Sequence, residues 1–134
     1  MTSTNLWGKF ESRVPERTPT TVLREQAKAL QEMTKGILSG QVSVVGKGQS
    51  FEIELSIVAP AINDYRFDVV KVRHDPRLYP LQVWRAWEGY NPRAVIRCQS
   101  QDEFEEALAS ILQSEEVVKV IGALIAQSRA DHTE

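Results

Sequence analysis

One cysteine, two histidines and no long apolar run are what this 134-residue chain has to offer in those categories, and the shortages exclude whole classes of protein. Cys98 alone forms no internal disulfide, and together with His74 and His132 it falls short of a structural zinc ligand set. A reducing compartment suits such a chain. The longest strongly apolar stretch, residues 117–126, is interrupted by Lys119 and Gly122 and is far shorter than the roughly 20 residues a membrane-spanning helix needs. No secretory leader pattern opens the chain, so the expectation is a cytoplasmic protein without a membrane span. Also missing are the glycine-rich phosphate loop, the dinucleotide fingerprint, the H-E-x-x-H zinc pair and the G-x-S-x-G nucleophile turn. No metal and no cofactor are expected, and no residue is assigned a catalytic role.

What is present is an average globular composition, 42% hydrophobic and 25% charged, at a length that suffices for one self-supporting core. Residues 1–17 carry no periodic pattern and read as a flexible arm in which Leu6, Trp7 and Phe10 dock locally. A single domain over residues 18–134 follows. Thr18-Pro19 is a helix start, a capping hydroxyl followed by a proline whose missing N–H costs nothing at that position. Leu23, Ala27, Leu30, Thr34 and Ile37 then recur at helical spacing, and Gly36 or Gly40 is expected to close the helix.

The period next changes to two. Residues 41–45 and 50–58 flank Gly46-Lys47-Gly48-Gln49 as a β-hairpin, with Phe51, Ile53, Leu55 and Ile57 alternating against Glu52, Glu54 and Ser56. Asn63-Asp64 supplies a turn, and residues 65–74 form a third strand whose apolar parity switches at Val69-Val70, the mark of a bulge. Residues 81–87 and 93–98 read as a fourth and a fifth strand. The pattern Ser100-Gln101-Asp102-Glu103 is a capping box, and Ser114-Glu115-Glu116 opens a last helix with the stripe Val117, Ile121, Leu124, Ile125 and Ser128. Connections this short exclude parallel crossovers. The expected fold is α+β: an N-terminal helix, a five-stranded antiparallel meander sheet and two C-terminal helices packed on it.

Charge is unevenly distributed behind a net value of −2. Residues 66–97 hold seven basic and three acidic side chains, whereas residues 98–134 hold two basic and eight acidic. The basic strands also contain Tyr79, Trp84, Trp87 and Tyr90, a mixture enriched at binding hot spots. Trp84 and Trp87, three apart on one expected strand, should point to opposite faces. A plainer account has the basic strands neutralised by the acidic helices of the same chain.

Arg73, His74, Tyr79, Trp84, Arg85 and Trp87 are therefore the candidate binding residues of a small non-catalytic interaction protein, accessory, regulatory or immunity-like. Its partner would be another protein or a second copy, the latter through a sheet edge or the last helix, where Val118 and Val120 fall off the stripe. Nucleic acid, which the same Arg/aromatic mixture can stack and neutralise, ranks behind a protein. The alternative is an enzyme or small-ligand binder with a pocket around His74, Asp75 and Tyr79, Asp75 steering His74 as a general base. Cys98, at the end of an apolar strand, reads as a small buried hydrophobe, its activation requiring a positive neighbour such as Arg97 or His74.

Overall fold

The computed structural model describes residues 5–132 apart from the side chains of Lys47, Asp131 and His132, so the first four residues of the expected arm lie outside the described residues. Helix α1 (Pro19–Met33) is followed by strands β1 (Ser39–Lys47), β2 (Ser50–Ala59), β3 (Tyr65–His74), β4 (Leu81–Arg85) and β5 (Ile96–Cys98), then by α2 (Gln101–Leu112) and α3 (Glu115–His132). The strands pair in chain order, each antiparallel to the next. This is an α+β fold with its helices packed on a five-stranded antiparallel sheet. Among the described residues no helix is long and apolar enough to cross a membrane.

Local chemistry accounts for most boundaries. Thr18 accepts a hydrogen bond from the Thr21 amide at 3.1 Å and caps α1, whose residues Val22, Leu23 and Ala27 are buried. Of the two glycines expected to close the helix, Gly36 does so, with Thr34 and Lys35 ahead of it. Thr34, expected on the apolar stripe, is the C-terminal cap, and its hydroxyl donates to the Leu30 carbonyl at 2.9 Å. Lys35 takes the first left-handed position at φ 52°, Gly36 the second at φ 83°, and the Gly36 amide reaches back to the Gln31 carbonyl at 2.9 Å. Gly40 instead lies inside β1, where a Cβ would meet the Ala27 Cα at 2.4 Å. Helix and strand approach each other so closely only because that side chain is absent.

The hairpin turn is tighter than the four residues expected. Strand pairing runs to Lys47↔Ser50, leaving Gly48-Gln49 as the loop, and Gly48 at φ 59° fits the first central position of a type II′ turn. Asn63 and Asp64, at φ 54° and 55°, turn the chain into β3 as their composition implies. The bulge is present too: Leu55 pairs with Val70 and Ser56 with Asp68, so Val69 is the extra residue and both valines are buried. The fourth strand ends at Arg85, before a single helical turn at Ala86–Glu88, and the fifth shrinks to Ile96–Cys98. Ser100 caps α2 through the Glu103 amide at 3.2 Å, while the Glu103 carboxylate accepts from the Gln99 amide at 2.9 Å, one residue before the position a strict capping box uses.

The core lies between one sheet face and the helices. Ile53, Leu55 and Ile57 of β2, Val70 and Val72 of β3, Leu81 and Val83 of β4 meet Leu23 of α1 and Phe104, Leu108 and Ile111 of α2 there. α3 is anchored by buried Val117 and Ser128, with Ile121, Leu124 and Ile125 half-buried between them and Val118 exposed. In the arm, Leu6, Trp7, Phe10 and Val14 stand in solvent, Trp7 at 87% exposure, so the expected local docking is not made.

Candidate functional site

The register of β2, β3 and β4 decides what the opposite, outer sheet face displays. Pairing Glu54 with Lys71 and Glu52 with Arg73 sets side chains of opposite sign side by side across two strands, and Ser56 pairs with Asp68. Arg66 closes on Glu54 and, through Nε, on Asp68 at 2.9 Å. Lys71 lies 3.7 Å from Glu52 and 3.5 Å from Glu54, and Arg73 lies 3.2 Å from Glu52. Ser56, fully buried beneath them, donates to Asp68 at 2.8 Å and accepts from Arg66 at 3.1 Å. Partial burial pushes the Asp68 carboxyl up, but the hydrogen bonds from Arg66 and Ser56 outweigh it and hold the group below the usual carboxylate range. The positive charge of β3 is thus neutralised largely by β2, not by the acidic C-terminal helices. Arg85 of β4 shares a shallow depression with Glu115 and Glu116 at the start of α3.

Beside this ion-pair lattice sits an aromatic cluster. The Arg73 guanidinium lies 5.3 Å from the Trp84 ring centre and 5.1 Å from that of Tyr90, and the two rings meet edge to face at 5.1 Å. Each cation–ring contact of this kind contributes about 0.5–2 kcal/mol according to its desolvation. Trp84 is only 4% exposed. Arg73 and Tyr90 both lie against this indole.

The six candidate residues are not gathered in one place. Arg73 and Trp84 lie on the outer face. Arg85, in register with Val70, has the inner parity; its guanidinium is 5.9 Å from the Trp87 ring and 3.8 Å from Glu88. Trp87 stacks on Phe67 at 5.7 Å and packs against the core. The two tryptophans do separate to opposite faces, although the strand ends between them. His74, 8% exposed, lies against Phe51 with ring centres 5.4 Å apart and donates from Nδ1 to the Asp75 carbonyl at 2.8 Å. The Asp75 carboxylate turns away to Arg77, accepting from its backbone amide at 2.8 Å and its guanidinium at 2.7 Å. Asp75 therefore serves as a turn residue, and its carboxylate makes no hydrogen bond to His74.

Tyr79 is half-buried, and its buried hydroxyl has no hydrogen-bond partner among the described residues. Burial pushes its phenol above the ordinary value. Burial likewise pushes the Cys98 thiol up to about 11, so it stays protonated near neutral pH and packs as an apolar group. An apolar cavity of about 440 Å³ lies instead between the helices and the inner sheet face, lined by Val22, Leu30 and Met33 of α1, Leu112 of α2 and Ile121 of α3. Its polar groups are Gln26, Glu105 and Gln113; His74, Asp75 and Tyr79 do not line it. Nothing in the sequence distinguishes these lining positions from ordinary helical core. Compared with protein-family models, curated proteins and solved structures, the chain matches none.

Proposed function

We propose that this chain is a small non-catalytic interaction protein, accessory, regulatory or immunity-like, that binds a protein partner through the outer face of its sheet. The observation that carries this reading is the cluster of Arg73, Trp84 and Tyr90 held together at the side of the outer face. Aromatic and arginine side chains held in place before binding lose little freedom on association, and they are the residue types that dominate interface energetics. Tyr90 is half exposed and offers the contact, Arg73, paired with Glu52, holds the ring in place, and Trp84 supports both from beneath. Affinity capture with quantitative mass spectrometry tests it on three baits: wild type, Tyr90→Ala and the inner-side control Met33→Ala. Partners retained by wild type and the control but depleted at least tenfold by Tyr90→Ala support the outer face. Equal recovery on all three baits overturns it.

A second reading, a carrier of an apolar small molecule, is favoured by the cavity under α1, whose size lies within the range of ligand sites and whose few polar groups would orient a head group. A thermal denaturation series with linear alcohols of increasing chain length tests that reading. A melting temperature that rises with alcohol concentration and falls back in a Leu112→Trp variant supports it, and an unchanged melting temperature rejects it.

A further inference from the structure

The sheet has two edges of unlike design. β5 presents three residues at one side, whereas β1 presents nine at the other, paired with β2 from Ser39↔Val58 to Lys47↔Ser50 without a bulge. Long edges are ordinarily blunted by charge, proline or a bulge, because their free amides and carbonyls template further pairing. β1 has none of these devices between Ser39 and Gly46, and its one charged residue, Lys47, stands at the end. Val44 and Val45 are 44% and 52% exposed. Among the described residues β2 is its only strand neighbour.

We propose that β1 pairs antiparallel with β1 of a second copy, about a two-fold axis through Ser43, joining two sheets into one of ten strands. The occupant is identified by the strand itself, since Gly40-Gln41-Val42-Ser43-Val44-Val45-Gly46 is nearly symmetric about its centre. The axis sets Gly40 against Gly46, Val42 against Val44 and Ser43 against Ser43. Each Lys47 meets Ser39, so like charges stay at opposite ends.

Backbone direction agrees with this register. In antiparallel pairing alternate residues turn both N–H and C=O to the same neighbour. Counting back from Lys47↔Ser50, the pair that closes the type II′ turn, the residues turned away from β2 are Gly46, Val44, Val42 and Gly40. The proposed register opposes these residues to one another and makes about eight backbone hydrogen bonds. Both ends also fit in depth. α1 roofs the Gly40 end through Ala27, whereas a Cβ at Gly46 would meet nothing within 4 Å. The symmetry places the roofed end of one copy against the open end of the other, so the two α1 helices lie staggered and each shields the partner's exposed Val44.

This pairing is independent of the outer-face reading, and the two fail separately. Sedimentation equilibrium of the full chain at micromolar concentration should give twice the 15.1 kDa chain mass. Val44→Pro removes an amide that faces away from β2, a substitution edge strands tolerate, and should weaken the dimer by about 30-fold or more while the monomer keeps its circular dichroism spectrum. Val44→Lys, which brings two ammonium groups near the axis, should give the same monomer by a side-chain route. Ser43→Cys should form a disulfide-linked dimer under mild oxidation and Gln41→Cys should not, because only position 43 faces itself across the axis; Cys98 is buried and takes no part. Tyr90→Ala should remain dimeric. A wild type that stays monomeric at hundreds of micromolar overturns the proposal, as does a dimer unaffected by both Val44 variants or a Ser43→Cys protein that stays unlinked. Dimerisation lost in Tyr90→Ala but kept in the Val44 variants would assign self-association to the outer face instead.

Discussion

The two faces of the sheet are made from the same strands and solve opposite problems. On the inner face Ile53, Leu55, Ile57, Val72 and Val83 are sealed by helices, and each fully buried side chain of this kind contributes about 1.5–3 kcal/mol. On the outer face Glu52, Glu54, Arg66, Asp68, Lys71 and Arg73 remain in contact with water, where each ion pair contributes about 0–1 kcal/mol. Stability therefore rests on the inner face. Apart from the buried Trp84 and Ser56, the outer face contributes little to stability, and its ordered charges set which surface the molecule presents.

Substitutions on each side measure that asymmetry. Phe104→Ala removes a fully buried ring from the α2 contact with the sheet and should cost about 3–5 kcal/mol in chemical denaturation. A cost below 1 kcal/mol would mean that α2 is not part of the cooperative core. Gly40→Ala drives a methyl into the Ala27 backbone and should cost about 1–3 kcal/mol, because a backbone atom cannot swing aside as a side chain does. Unchanged stability there would show that α1 and β1 separate freely. At the end of α1, on neither face, Lys35→Gly should stabilise by about 0.5–1 kcal/mol, as glycine occupies φ 52° without the crowding a Cβ creates. A destabilised protein would mean that the lysine side chain supplies more than the strain costs.

The outer face should respond least. Asp68→Asn should cost about 0.5 kcal/mol at pH 7, its side chain being 45% exposed and its ion pair screened accordingly. The Asp68 pKa is lowered in the folded protein, so its contribution is fully present above the unfolded value of about 3.9 and is lost as pH falls through the folded one. Denaturation midpoints of wild type and variant should accordingly differ at pH 7 and converge in acid. A gap that is constant with pH, or larger than that of Gly40→Ala, would reverse the comparison of the two faces.

Much of the framework is legible from local patterns. Thr18-Pro19, Asn63-Asp64 and Ser100 act on backbone within four residues, so their roles follow from sequence, and the parity switch at Val69-Val70 announces the bulge because a strand has period two. Local pattern does not decide a position that has two locally acceptable uses. Gly40 could end a helix or admit one against a strand, and only the packing of Ala27 on β1 chooses. Residues 86–87 could extend β4, but the chain coils at Ala86–Glu88 and brings Trp87 onto Phe67.

Sequence alone determined the order of elements, the antiparallel class of the sheet and the uneven distribution of charge, since each depends on short-range periodicity, on connection length or on counting. Tertiary structure alone decided what those charges meet. Strand register brings Glu52 and Glu54 beside Lys71 and Arg73 from positions about twenty residues apart and roofs Trp84 with Arg73 and Tyr90. Electrostatic and aromatic contacts act over a few ångströms of space whatever the separation along the chain, so the composition of a segment cannot reveal which of its charges are already paired.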